Sequence, residues 1–183
     1  ARARNAARRY AVADPAHRFH QRFVEPNTSM LELFAPEHVW DEVVAPVIDV
    51  YLGHEFERIV GQAYPRLAPS RGLPLVKEWS RWEGSVRDGG SVEVDVVAPL
   101  TDGDRFLTGS IKWGAAPRAV SDYFEHRRSL ERLAQSGQGW AHAALDPRSP
   151  MLFVAAGGFE AGFRQVASSD GREVILWALE DLY

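Results

Sequence analysis

Ser91-Val-Glu-Val-Asp95-Val-Val-Ala98 and, after a turn, Phe106-Leu-Thr-Gly-Ser110-Ile-Lys112-Trp113 are the stretches whose reading decides the fold. In the first, Val92, Val94 and Val96 alternate with Glu93 and Asp95, a period of two that predicts a half-buried β-strand. Side chains two residues apart on a strand point the same way, so Glu93 and Asp95 are expected on one face. The second stretch is largely apolar, reads as the next strand and ends in Lys112. Thr101-Asp-Gly-Asp104 between them is a turn signal. The pair thus offers carboxylates on one strand and an ammonium at the end of its neighbour. Two residues before the lysine, where a further acid would face the same way, the chain has Ser110.

Working outward, Arg87-Asp-Gly-Gly90 is a hairpin turn signal. Before it, the aromatic-rich residues 75–83, with Trp79 and Trp82, read as a strand. Further upstream, Val47, Ile48, Tyr51, Leu52, Phe56, Ile59, Val60 and Tyr64 recur near helical spacing and predict a helix over residues 47–67 that carries Glu57. Pro65, Pro69 and Pro74 mark its exit. Downstream, Gly114 to Pro117 is a loop. A helix is expected over 120–135 with Phe124, Leu130 and Leu133 as its apolar stripe, ended by Ser136-Gly-Gln-Gly139. Residues 151–156 form a short continuous apolar run, the pattern of a buried strand. A short helix over 159–167 and a last strand over 173–179, entered through Ser169-Asp-Gly171, complete the chain. The order α-β-β-β-α-β-(α)-β predicts a mixed α/β fold (an α+β mixed sheet) with a helix on each face. Residues 47–183 are expected to form this domain. Residues 1–46 read as a mostly helical extension, with amphipathic pieces at 17–24 and 36–44 and an N-cap followed by proline at Asp14-Pro15.

The chain has 183 residues, 45% of them hydrophobic, enough for one sizeable core. It has no cysteine, which excludes disulfides and thiolate metal sites. No run of 18 apolar residues suggests a membrane span. The basic start, Ala1-Arg-Ala-Arg-Asn-Ala-Ala-Arg-Arg9, leads into no apolar segment, so no signal peptide is expected and a cytoplasmic location is. A start at alanine rather than methionine points to a piece of a longer protein. Net charge is −4 but uneven: residues 1–22 carry six Arg and one Asp, leaving about −9 on the rest. An acidic body argues against tight, non-specific binding to a phosphate backbone. Basic residues gather at Arg118, Arg127, Arg128 and Arg132, but Asp122, Glu125 and Glu131 lie among them, so the segment also reads as a solvated helix face. Arginines number nineteen and lysines two, which makes Lys112 an unusual choice here.

An acid on the first helix (Tyr51-Leu-Gly-His-Glu-Phe56-Glu57), acids on the second strand (Val92-Glu93-Val-Asp95-Val-Val) and a lysine ending the third (Gly109-Ser110-Ile-Lys112-Trp113) together resemble the PD-(D/E)XK nuclease superfamily. Within it, the chain is similar to the nuclease-like domain found C-terminal to archaeal-style AAA+ ATPases. Asp14-Pro-Ala-His-Arg-Phe19-His-Gln-Arg-Phe23-Val-Glu-Pro26-Asn27 looks like the segment that precedes that domain, so the resemblance spans roughly residues 10–180. It implies a restriction-endonuclease-like αβββαβ core and a Mg²⁺ or Mn²⁺ site. The metal would lower the pKa of a bound water and stabilise phosphate charge. Asp95 would be the central ligand, the backbone carbonyl of Ile111 an auxiliary one, Glu57 the helix acid, and Lys112 the catalytic lysine. Ser110 departs from the pattern, because relatives carry Glu there and a neutral hydroxyl is a poor Mg²⁺ ligand. Glu93 is the candidate substitute. The motor itself is absent: no Gly-x-x-x-x-Gly-Lys-Ser/Thr loop occurs, and Gly157-Gly158 is not one.

Plainer readings stand beside these. Glu93 and Asp95 also fit the solvent face of an amphipathic strand, Lys112 a surface lysine, and Glu57 an ion pair with Arg58 or Arg66. His54 and His126 lack the spacing of a zinc site. Trp79, Trp82 and Trp113 could stack on bases but fit core packing better. Three functions follow. The first is a nuclease-fold domain of an AAA+ ATPase-type protein with a degenerate metal site, contacting nucleic acid or a partner. The second is an active Mg²⁺/Mn²⁺-dependent DNA endonuclease. The third is a protein-interaction or oligomerisation module. The partners to consider are DNA, through Arg118, Arg127 and Arg128, and the chain's own ATPase domain.

Overall fold

In a computed structural model the structure describes residues 12–183; the Arg-rich start discussed above lies outside the described residues. The chain forms two compact units, one ending at Tyr51 and the other running from Leu52 to Tyr183.

In the first unit, helix α1 (Pro15–Phe19) begins where expected. The Asp14 carboxylate accepts hydrogen bonds from the backbone N–H of Ala16 at 2.8 Å and of His17 at 3.2 Å, satisfying donors that have no partner within the helix. A π-helical turn (His20–Val24), α2 (Thr28–Leu33), α3 (Pro36–Val39) and a second π-helical turn (Trp40–Val44) follow. Phe19, Phe23 and Tyr51 stack with ring centroids 5.0–6.0 Å apart, around the buried Phe23.

Helix α4 (Ile48–Leu67) leads into the second unit, a five-stranded sheet in the order β1 (Ser80–Ser85), β2 (Ser91–Pro99), β3 (Phe106–Lys112), β4 (Met151–Ala155) and β5 (Val174–Trp177). The first three strands are antiparallel and the last three parallel. Antiparallel pairs need only turns, such as Arg87–Gly90, where Gly89 takes φ +87°. The parallel steps need crossovers, supplied by α5 (Val120–Gln135) with α6 (Gly139–Leu145), and by α7 (Ala161–Ser169). Phe56, Val60, Ala63 and Tyr64 of α4 pack on one face with Val96, Ala98, Leu107, Leu152, Val154 and Trp177. Tyr123, Leu130, Leu133 and Phe163 cover the other with Val92, Val94, Val97, Met151 and Phe153. Every residue of β4 is buried, as its continuous apolar run requires of a strand covered on both sides.

Four expectations are corrected. β1 starts at Ser80; residues 75–79 contribute only an isolated bridge between Val76 and Leu100, because Trp79 is drawn onto Tyr64 of α4. The expected order lacks a helix between α5 and β4: α5 ends at Gln135 as expected, with Gly137 at φ +90°, but the Ala-rich residues after Gln138 form α6. The stripe of α5 runs through Tyr123, His126, Leu130 and Leu133, leaving Phe124 about half exposed. The fourth concerns β2. Trp82 pairs with Val94 but Ser80 pairs with Val97, so two steps on β1 match three on β2. A β-bulge therefore sits at Asp95 and Val96. Val94 and Val97 both face the α5 side, so the strict alternation of β2 fails at Asp95 and Val96, although Glu93 and Asp95 still line one cleft.

Candidate functional site

The β2–β3 ladder runs from Pro99–Phe106 to Val96–Gly109 and pairs no residue beyond it. There the bulge and the end of the pairing free Asp95 from its strand role. Its carboxylate accepts the Ile111 N–H at 2.7 Å, a backbone donor that the β2–β3 ladder leaves unpaired. Glu93 pairs with the Arg81 guanidinium at 2.8 Å. Arg81 also holds Glu83 at 2.8 Å and Glu57 of α4 at 3.6 Å. Glu57 is thus paired with Arg81; Arg58 pairs with Glu55, and Arg66 donates to the Leu182 carbonyl. Partial burial, then the neighbouring charge of Asp95, push the Glu57 carboxyl up from its ordinary range, and Arg81 offsets part of that rise.

On the α5 side a cleft of about 200 Å³ is lined by Glu93, Asp95, Ser110, Arg118, Asp122, Glu125, His126 and Ser129. That is below the size of pockets that enclose a drug-sized ligand. Ser110 faces this cleft, but its hydroxyl and carbonyl accept hydrogen bonds from the two terminal nitrogens of Arg118, at 3.1 and 2.9 Å. The Arg118 Nε donates to Asp122 at 3.1 Å. Lys112 reaches the same Asp122 carboxylate at 3.3 Å. Arg118, expected on a solvated surface within reach of nucleic acid, is only 4% exposed, because its guanidinium has these partners and lies over the Phe153 ring. Arg127 pairs with Asp170 at 3.3 Å, and Arg128 lies exposed on α5.

A family model, DUF234, described as archaea bacterial proteins of unknown function, matches residues 20–123, from the first π-helical turn through β3 into α5. The chain belongs to this family. No curated protein matches it. Among solved structures, the MspJI restriction endonuclease in complex with a 27-mer oligonucleotide is similar at 16% identity and TM-score 0.44, over 94% of this chain and 34% of that one. EndoMS in its apo form is similar at 11% identity and TM-score 0.40, over 68% of this chain and 45% of that one. The protein of unknown function AF1548 is similar at 12% identity and TM-score 0.34, over 67% of this chain and 58% of that one. The chain thus spans between a third and three fifths of these neighbours. Its fold is mixed α/β, a five-stranded mixed sheet with helices on both faces. No described helix is long and apolar enough to cross a membrane.

The donor set in this family member fits a divalent ion poorly. Mg²⁺ takes six oxygens in near-octahedral array, usually one or two of them from carboxylates and the rest from water or phosphate. Here one Asp95 oxygen is taken by Ile111 N–H, Glu57 and Glu93 are held by Arg81, and position 110 accepts from an arginine. Among the described residues no three His, Asp or Glu side chains are spaced to hold a metal ion. Sequence reasoning missed Arg81, Arg118 and Asp122 as parts of this network. Arg81 follows Ser80 on a strand whose start was misplaced, and Asp122 reads as one charge among several on a helix face.

His126 carries a pH prediction. Its ring is fully buried against Phe153, and Nε2 lies 3.2 Å from Thr108 Oγ1. Burial first, then the charges of Arg118 and Arg172, lower its pKa to about 3. Between the unfolded pKa near ~6.5 and that value, the unfolded chain binds a proton that the folded one refuses, so stability falls as pH falls. From pH 7.5 to 5 the loss is about 2 kcal/mol. The urea midpoint of wild type should drop over that range by more than that of His126→Gln, which can keep a hydrogen bond to Thr108; equal slopes would contradict this.

Proposed function

We propose that this is a nuclease-fold domain whose metal site is degenerate and which contacts nucleic acid or a protein partner rather than cutting DNA. The observation that carries this reading is that the acids the resemblance implies as ligands, together with Asp122, are already engaged within the chain. Asp95 accepts from Ile111, Glu57 and Glu93 share Arg81 with Glu83, and Asp122 is shared by Arg118 and Lys112. Lys112, whose side chain is about half exposed, is paired with Asp122 at 3.3 Å. The link to an AAA+ ATPase is supported by the resemblance of residues 14–27 and of the helix and strand segments, and DNA as partner by the same resemblance.

A second reading, an active Mg²⁺/Mn²⁺-dependent endonuclease, is favoured by one observation. Asp95 lines the cleft together with Glu125, an acid that could complete a ligand set which Ser110 cannot. In that reading Asp95, Glu57 or Glu93, the Ile111 carbonyl and Lys112 take the roles the resemblance implies, and the bound metal would activate a water.

Incubation with plasmid and single-stranded DNA in Mn²⁺, and anisotropy of labelled DNA in EDTA at 50 and 200 mM NaCl (on the order of physiological ionic strength and below it), separate the readings. We expect no cleavage, and EDTA-resistant binding that weakens with salt. Cleavage that disappears in Asp95→Ala would establish the endonuclease instead. Neither cleavage nor binding would leave the protein-interaction module.

A further inference from the structure

We propose that Arg118 is a resident cation standing in for the divalent ion, so that the positive charge and the strand-to-helix tie a metal would supply are built into the chain. The inference rests on the reading that the acid at position 110 has been lost, and it states what replaced it.

Four observations support it. Arg118 is held at its backbone before its side chain is considered. It forms an isolated parallel bridge with Phe159, its N–H donating to the Gly158 carbonyl at 2.9 Å and its carbonyl accepting from Glu160 at 3.0 Å. The guanidinium is therefore delivered to one place. There it donates in three directions, to the Ser110 carbonyl, the Ser110 hydroxyl and Asp122, joining the C-terminal half of β3 to the first turn of α5. Its underside is closed by Phe153 and Phe163, with ring centroids 5.3 and 6.0 Å away, which fixes the plane of the fork. Finally, Asp95 and Asp122 supply compensating negative charge, so the cleft carries its own counter-charge without an ion from solvent.

The chemistry explains why serine suits position 110. An arginine fork has donors only, and a hydroxyl beside it serves as an acceptor. A carboxylate introduced there would meet a guanidinium already in place and pair with it in the manner of Arg–carboxylate contacts, rather than remain free for a metal. Restoring one acid is then insufficient. Divalent-ion binding requires the carboxylate and the removal of the arginine together, and Asp95 would have to be among the ligands.

The test is calorimetric titration of MnCl₂ into metal-free wild type, Ser110→Glu and Ser110→Glu/Arg118→Met, with circular dichroism to confirm folding. We expect no stoichiometric binding by the first two. The double variant should gain one Mn²⁺ per chain, lost again on adding Asp95→Ala. One equivalent bound by Ser110→Glu alone would overturn the resident-cation inference while leaving the degenerate-site reading intact. One equivalent bound by wild type and lost in Asp95→Ala would overturn both. A folded double variant that takes up no Mn²⁺ also overturns the inference. Should the double variant not fold, the urea midpoints of wild type and Ser110→Glu in EDTA and in Mn²⁺ decide it: they coincide if Arg118 fills the role, and an Mn²⁺-dependent rise in Ser110→Glu refutes it.

Discussion

Arg118→Met is expected to destabilise the Leu52–Tyr183 unit by about 3 to 5 kcal/mol, the range for breaking a buried ion pair by removing one partner. The reason lies in what is left behind. The Ser110 carbonyl and hydroxyl lose their donors, and Asp122, whose side chain is 15% exposed, keeps only the longer contact to Lys112 at 3.3 Å. Methionine fills much of the volume over Phe153 but brings no hydrogen-bond donor. For a domain of this size the loss corresponds to a fall in Tm on the order of 10 °C. Arg118→Lys should lie between, because a single ammonium can retain Asp122 or Ser110 but lacks the fixed fork that serves both. Urea unfolding at pH 7 checks the order wild type, Lys, Met; a methionine variant within about 1 kcal/mol of wild type would show that the network contributes little.

Gly109→Ala is expected to cost about 3 kcal/mol, at the upper end for overpacking, or to abolish folding. Gly109 is paired on both sides, with Val96 of β2 and Leu152 of β4. A Cβ there would lie 2.3 Å from the Leu152 carbonyl oxygen and 3.2 Å from the Leu152 Cβ. Strand spacing is set by the backbone ladder, so the clash cannot be relieved by rotating a side chain. The displacement would propagate to Ser110 and Ile111, which contact Arg118 and Asp95. Gly139→Ala is the control: nothing lies within 4 Å of its Cβ, and its stability should be unchanged or slightly raised. Thermal unfolding of the two variants side by side makes the comparison, and a Gly109→Ala protein as stable as the control would refute the packing argument.

Much of the scaffold was legible because it depends on local periodicity. The alternation of Val92 and Val94 with Glu93, the apolar run at 151–155 and the helical spacing of Phe56, Val60 and Tyr64 each demand one kind of element, and each element formed there. Turn chemistry was equally local, as at Asp14 and Gly89. The strand at 75–79 failed because Trp79 found a better partner in Tyr64 than a β-ladder offered. Helix α6 was missed because its glycine-rich entry reads as a terminator, whereas the Ala-rich residues behind it gain a buried face at Ala141 and Ala144.

The site was legible as a set of residue types on particular strands and not as a geometry. From its sequence alone the chain specified which elements carry Glu57, Glu93, Asp95, Ser110 and Lys112, since amphipathic period and turn signals act over a few neighbouring residues. Only the tertiary structure decided where those side chains point. The bulge at Asp95 exists because β1 and β2 pair in a register that no local pattern encodes. Arg81 meets Glu57 because a helix and a sheet edge converge, and Arg118 reaches Ser110 because the bridge to Phe159 carries it there. Each of those contacts is long-range and charge-selective, and a buried guanidinium is stable only where several acceptors arrive together, a condition satisfied in three dimensions and invisible along the chain.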